Sequence, residues 1–248
     1  MKGTFFNKPL EWNIETQGES WTQGSPISGR LTVKNHGTEK IDLTGSGVAL
    51  AWAEIKKIHT RTQGALKFES QQILEQAMLA PGEMTSIDFS LTLPANCPVT
   101  DKKASYFLAY GKTCEENHLQ LKVEPRVLFT KIVGLLDTFH RFKLKEVKSA
   151  KAGVEFKLLP PTARDMANLD GLSLVFAVDQ ETLMLNFEFQ VKKLDTSSIT
   201  TKVSKEVVKI QKTLTPKEYS LGKEMINQDG ILKSLEEVLR EVKIKSVF

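Results

Sequence analysis

The sequence LAPGEMTSIDFSLTLPANCPVT at residues 79–100 predicts a β-strand between two turns. Pro81 fixes φ at the first central position of a β-turn, and Gly82 supplies the positive φ that a type II turn needs at its second central position. From Ile87 to Leu93 apolar residues alternate with polar ones, which is the two-residue period of a strand with one solvated face. Pro94 has no N–H to donate and ends the strand. The pattern is typical of an all-β sandwich and not of an enzyme pocket.

Similar alternating runs fill the chain before residue 125, and Gly, Pro, Asn and Ser separate them. They cover residues 12–14, 27–33, 41–43, 48–52, 66–68, 87–93, 106–110 and 119–123. Their connections are too short for the crossover helices of a parallel sheet, so the pairing is predicted to be antiparallel. Residues 1–124 are therefore predicted to form one β-sandwich.

The pattern changes after Glu124-Pro125, a dipeptide that favours extended chain and marks the predicted domain boundary. Apolar residues recur every three or four positions over residues 127–139, which predicts a helix of about four turns. Strands are then predicted at 142–144, 154–158, 172–178 and 183–191, with a hairpin at 179–182 joining the last two. Residues 125–196, extended to 214 in an alternative division, are predicted to form a second β-sandwich that begins with this helix.

The rest of the chain departs from the β pattern. The spacing of Ile199, Val203, Val207, Ile210 and Leu214 suits one face of a helix, although the β-branched residues leave a strand open. Residues 215–248 are predicted to be an amphipathic helical tail with Asp229 as the N-cap of the final helix. Its apolar stripe must be buried on its own domain or on another chain, which makes it a candidate docking or self-association face. The residues of that candidate face are Ile231, Leu235, Val238, Leu239 and Val242.

Composition favours a cytoplasmic protein of two ordinary domains. The chain has 248 residues, of which 40% are hydrophobic, enough for packed cores. The N-terminus lacks the apolar run of a secretory signal, and no segment approaches the roughly 18 apolar residues of a membrane span. Cys97 and Cys114 are the only cysteines, and one pair in a chain of this size predicts reduced thiols.

Positive charge is concentrated in the second half. Residues 1–124 carry 13 basic and 14 acidic side chains, whereas residues 125–248 carry 21 and 16. The densest segment, residues 140–151, contains Arg141, Lys143, Lys145, Lys148 and Lys151. In a regular strand the first three would form a ridge opposite Phe142 and Leu144, which suits an acidic partner or an anionic surface. The alternative is a solvated edge strand protected by lysine. Nucleic-acid binding is not predicted, because no stacking platform or groove-entering helix accompanies the charge.

Enzyme motifs fail at the spacings that their chemistry requires. Gly111-Lys112-Thr113 resembles the end of a phosphate-binding loop, but Tyr106 stands where that loop needs its first glycine. The histidines are too scattered for a zinc-binding helix, and Cys97 and Cys114 are too far apart for a Cys-x-x-Cys arm. A composite site of Cys114 with His118 stays open. The sequence predicts no catalytic residue, no metal ion and no cofactor.

Several segments resemble the arrestin-like superfamily in their order along the chain. In the first half these are residues 27–33, 79–83, 89–94 and Cys97-Pro98. The second half is more similar to the bacterial arrestin-like sporulation-control proteins, through residues 123–125, a helix ending near Phe139, and residues 142–147, 155–160 and 169–172. The resemblance covers about residues 10–195.

The resemblance implies two tandem antiparallel β-sandwiches that act in the cytoplasm as a non-enzymatic scaffold or adaptor for partner proteins, in a regulatory, stress or developmental pathway. It transfers no catalytic residue, and it does not imply sporulation for this chain. The second hypothesis is a peripheral module that binds anionic lipid or polyanion through residues 140–151. An uncharacterised hydrolase or metal enzyme is the third.

Overall fold

A computed structural model describes residues 1–114, 116–163, 166–195, 202–222 and 225–245. The chain is mainly β, as predicted, and divides into two compact units, Met1–Glu124 and Pro125–Phe248.

The first unit contains twelve strands and one short helix among its described residues. They are β1 (Lys2–Asn7), β2 (Leu10–Thr16), β3 (Trp21–Thr22), β4 (Pro26–Asn35), β5 (Ile41–Asp42), β6 (Gly47–Glu54), α1 (Ile55–His59), β7 (Lys67–Ile73), β8 (Met78–Leu79), β9 (Met84–Thr92), β10 (Ala104–Gly111), β11 (Asn117–Gln120) and β12 (Val123–Glu124).

Two four-stranded antiparallel sheets form the sandwich, with strand orders β1-β2-β4-β9 and β11-β10-β6-β7. Their facing side chains make one core, which includes Trp12, Leu31, Leu50 and Tyr106. The strand predicted at residues 87–93 corresponds to β9, which covers Met84–Thr92; Phe89 and Leu91 are buried there and Ser90 between them is exposed. The turn before it is also confirmed, since Glu83 N–H donates to Ala80 O at 3.1 Å and Gly82 has φ +72°.

The second unit has one continuous sheet with helices at both ends of its sequence. Its elements are α2 (Val127–His140), β13 (Lys143–Ala150), β14 (Gly153–Leu159), β15 (Leu169–Asp179), β16 (Thr182–Asp195), β17 (Lys202–Leu214), α3 (Pro216–Tyr219) and α4 (Gln228–Lys245). The five strands pair antiparallel in chain order. The predicted hairpin is present, because Asp179 pairs with Thr182 and Gln180 takes a positive φ of 52°.

Helices cover the apolar face of this sheet. Leu174, Phe187 and Ile210 are paired neighbours on that face and all are buried. The ring of Phe129 in α2 stacks on Phe176 in β15, with 4.8 Å between ring centroids. In the part of the unit that the structure describes, the second layer is therefore α2 with α4 and not the predicted second sheet.

One open alternative is decided and one local expectation is corrected. Residues 202–214 form a strand and not a helix, because β17 pairs with β16 over its full length. The apolar side chains of Val208, Ile210 and Leu214 are buried on one face of this strand. Ile199 lies outside the described residues. The final helix begins at Gln228, so Asp229 lies in its first turn and is not the N-cap. Asn227 caps it, since its Oδ1 accepts a hydrogen bond from Gly230 N–H at 3.1 Å. Strand β1 and helix α1 were not predicted.

Candidate functional site

The predicted docking face of the last helix is buried within the second unit. None of Ile231, Leu235, Val238, Leu239 and Val242 exposes more than 5% of its surface. Lys212 in β17 forms an ion pair of 2.8 Å with Glu237 in α4, and its hydrogen bond lowers the pKa of that carboxyl. The stripe therefore completes the core of its own unit and is not available to another chain, which corrects both the docking and the self-association reading of this face.

A β-bulge breaks the predicted ridge of positive charge. Leu144 pairs with the buried Leu158, and Val147 pairs with the buried Phe156. Leu144 and Val147 thus lie on one face although they are three positions apart, because the register shifts by one between Leu144 and Glu146 and leaves Lys145 as the extra residue. Since a shift of one residue moves every later side chain to the other face, the strand cannot present alternate cations on a single side.

Ion pairs hold two cations of the basic segment. Lys143 contacts Asp137 at the end of α2 at 2.5 Å, and Lys148 contacts Glu155 in β14 at 2.7 Å. The hydrogen bond with Glu155 raises the pKa of Lys148. Burial acts to raise the pKa of Glu155, but hydrogen bonds from Lys148 and Ser173 outweigh it and lower that pKa. Each of these two lysines therefore has a carboxylate partner within the second unit.

Arg141, Lys145 and Lys151 are exposed, and within the described residues none of them forms an ion pair. Arg141 follows α2 in the left-handed conformation, with φ 59° and ψ 25°. Lys145 occupies the bulge, and Lys151 lies in the turn between β13 and β14. The five predicted cations thus separate into two paired lysines and three free side chains, which do not form one continuous ridge.

The first unit has a cavity of about 580 Å³ at one side of its sandwich. Strands β1 and β11 are the outer strands of the two sheets on that side, and both contribute to the lining. Phe5, Ile58 and Leu66 supply apolar walls, whereas Arg61 and His118 supply polar groups. Burial lowers the pKa of His118, helped by the charge of His59, so the neutral imidazole is favoured. A volume of this size falls in the range of ligand pockets.

This cavity could not be predicted from the sequence. Its walls come from residue 5, residues 57–66 and residues 116–118, which are far apart along the chain. Only the unpredicted strand β1 brings Phe5 beside β11. Phe5 pairs there with the core residue Trp12 and is itself half-buried.

The opposite side of the sandwich is closed. Gln72 of β7 reaches across to β9, donating from Nε2 to Asp88 O at 3.1 Å and accepting at Oε1 from Ser90 N–H at 3.3 Å. We call each side of the sandwich, where the outer strands of the two sheets meet, a seam. The seam between β7 and β9 is bridged by a side-chain amide, whereas the seam between β1 and β11 opens into the cavity.

Candidate chemical groups do not converge on a reactive site. Cys97 and Cys114 are buried, and neither belongs to a disulfide. Across the described part of the chain, no group of three or more His, Cys, Asp and Glu side chains is arranged to hold a metal ion. His118 packs edge-on against Phe107, with 5.4 Å between ring centroids. None of the described helices combines the length and apolar character that crossing a lipid bilayer requires.

The fold and these surfaces define a mainly β protein of the arrestin-like class. The family model described as SpoOM protein matches residues 13–194, most of the chain. This chain therefore belongs to the Spo0M family. A search of curated proteins finds no significant match.

Among solved structures, the sporulation control protein Spo0M from Bacillus subtilis has the same fold. The two share 16% sequence identity with a TM-score of 0.60, and the match covers 95% of this chain and 99% of that one. A β-glucosidase from Listeria innocua in complex with gluconolactone matches 46% of this chain and 16% of its own at 15% identity, with a TM-score of 0.27. A β-glucosidase from Erythrobacter marinus matches 46% of this chain and 15% of its own at 13% identity, with a TM-score of 0.30. Both TM-scores are too low to carry an argument.

Proposed function

We propose that this chain is a non-enzymatic regulatory scaffold, or adaptor, that engages partner proteins. Membership of a sporulation-control family over residues 13–194 supports a regulatory role. The described residues bring no nucleophile, base and orienting group together at the cavity, which favours binding over catalysis there.

The open seam of the first unit is the observation that carries this proposal. Thr16 N–H donates to Met1 O, which places Met1 and Thr16 in a hydrogen-bonded pair of the β1–β2 ladder. Because such pairs alternate along an antiparallel ladder, the backbone groups of Lys2, Thr4 and Phe6 face away from β2. This edge of β1 has no strand partner among the described residues.

We infer that an extended segment of a partner protein adds to the edge of β1 and places a side chain in the adjoining cavity. Main-chain hydrogen bonds would provide affinity, and the apolar walls from Phe5, Ile58 and Leu66 would select an apolar side chain. Cys97 and Cys114 are buried and neither belongs to a disulfide, which supports the further proposal that this binding takes place in the reducing cytoplasm.

The test is affinity purification from the native cell with the cavity filled. Ala65→Trp places a bulky ring at the cavity lining, and Ser86→Trp places the same ring on an exposed strand position of β9 in the same unit. We expect Ala65→Trp to lose partner proteins that the wild-type chain and Ser86→Trp both retain, as measured by quantitative mass spectrometry. An unchanged partner set in Ala65→Trp would place the docking surface elsewhere.

A further inference from the structure

The chain between the end of α2 and the bulge of β13 forms a compact corner, residues 139–145. Arg141 N–H donates to Asp137 O at 3.0 Å, and Phe142 N–H donates to Leu136 O at 3.1 Å. The ion pair between Lys143 and Asp137 adds a side-chain link. These contacts hold the start of the strand against the last turn of the helix.

Two large apolar side chains of the 139–145 corner extend past the core. Phe139 lies four residues after Leu135 and continues the buried stripe of α2, yet it is 52% exposed. Leu144 lies on the apolar face of β13, as its pairing with Leu158 shows, and is 51% exposed. Both therefore lie on the side of the sheet that α2 covers, at the margin where that cover ends.

Two free cations belong to the same 139–145 corner. Arg141 and Lys145 are exposed, and in the part of the chain that the structure describes neither has an ion-pair partner. Several other lysines of this sheet are compensated, as in the pairs Lys157–Glu146 and Lys209–Glu188. The corner thus combines uncompensated positive charge with exposed apolar surface.

We propose that the 139–145 corner is a peripheral docking site for an anionic lipid surface. Cations attracted to acidic headgroups, together with apolar side chains at the acyl boundary, are the two contributions that bind a protein to a membrane surface. A protein partner added as a strand is disfavoured, because β13 is an edge strand whose bulge and lysines interrupt the ladder that a new strand would extend. This site lies in the other unit from the cavity and does not depend on the function proposed for it.

Arg141 allows the charge to be removed without cost to the fold. Its backbone is left-handed, a conformation that glycine adopts more readily than arginine, so Arg141→Gly should leave the second unit at least as stable. Lys145→Ser changes an exposed bulge residue. The matched control is Lys217→Ser with Lys233→Ser, which removes two exposed cations of the same unit outside the corner.

The experiment is co-sedimentation of the full chain with vesicles of phosphatidylserine and phosphatidylcholine, and of phosphatidylcholine alone, across a salt series. We expect binding to the anionic vesicles only, weakening as salt rises. Arg141→Gly with Lys145→Ser should lower the partition coefficient about 25-fold, because each cation near an anionic surface contributes about fivefold. The matched control should stay within about twofold.

The apolar contribution is tested separately with Phe139→Ser, which should reduce the binding that persists at high salt. An equal loss in the corner variant and the matched control would show attraction to net charge alone and would overturn the proposal. The proposal would also be overturned if the wild-type chain did not bind the vesicles. The same holds if the corner variant lost a protein partner and kept its binding to lipid.

Discussion

Gln72 in β7 accepts a hydrogen bond from the backbone N–H of Ser90 in β9, at 3.3 Å, and bridges the outer strands of the two sheets of the first unit. The same amide donates to Asp88 O, so one side chain occupies both a donor and an acceptor of the β9 edge. This is the arrangement that a backbone amide of a neighbouring strand would provide. The side chain therefore protects an edge that would otherwise be open to pairing.

Replacing Gln72 with alanine should release this edge. We expect the Ser90 amide to exchange with solvent about fivefold faster or more in Gln72→Ala, because a hydrogen bond of this kind contributes about 1 kcal/mol. Hydrogen–deuterium exchange resolved at Ser90 checks it. The neighbouring Gln71 is exposed and provides the matched control, Gln71→Ala, which should leave Ser90 unchanged. Equal exchange in both variants would contradict the role of Gln72.

A second amide, Asn35, organises the turn before β9. Its fully buried Nδ2 donates to Glu39 O at 2.8 Å and to Leu79 O at 3.2 Å, and its Oδ1 accepts from Gly37 N–H at 2.8 Å. Asn35→Ala leaves these buried groups unpaired and should lower the free energy of unfolding of the first unit by about 2–3 kcal/mol.

Tryptophan fluorescence during urea denaturation measures this loss for the first unit, because the three tryptophans of the chain, Trp12, Trp21 and Trp52, all lie there. Gln63→Ala, which removes an exposed amide in the loop after α1, should stay within about 0.5 kcal/mol of the wild type. A loss in Asn35→Ala no larger than in Gln63→Ala would show that the buried amide is dispensable.

The alternating strands could be predicted because their signal is local. In β9 and β16 apolar residues recur every second position in the sequence, and the structure buries side chains at the same two-residue spacing. β17 is different, since Val207 and Ile210 also fit a helical spacing, and only the pairing with β16 decides between the two. Asn227 and Asp229 are both acceptable N-cap residues, and the start of the helix selects Asn227.

The candidate site depended on information that the sequence does not carry locally. The bulge at Lys145 is defined by the partner strand β14, and it alone changes which cations share a face. The burial of the α4 stripe likewise depends on β17 and α2 as neighbours. An amphipathic sequence predicts that the apolar stripe of a helix is buried, but it does not identify the element that covers the stripe.

The α4 stripe gives a third prediction. Leu235 is 1% exposed, so Leu235→Ala creates a cavity in the core of the second unit and should destabilise it by about 2–5 kcal/mol. Differential scanning calorimetry should show a lower transition temperature for the second unit, while tryptophan fluorescence follows the first unit independently. The exposed neighbour Lys233 supplies the control Lys233→Ala. Unaltered calorimetry in Leu235→Ala would indicate that the stripe is not part of this core.

Burial lowers the pKa of His118 in the cavity wall, and this predicts a pH dependence for the first unit. The unfolded chain takes up a proton near pH 6.5, whereas the folded chain does so only at lower pH, so stability is complete above that value and falls as the pH decreases through it. Thermal unfolding followed by tryptophan fluorescence should therefore show a lower midpoint at pH 5.5 than at pH 7.5. His118→Gln, which cannot titrate, should flatten this dependence.

His140, whose pKa burial also lowers, lies in the second unit, where no tryptophan reports. An identical pH profile in the wild type and His118→Gln would assign the proton uptake to another group.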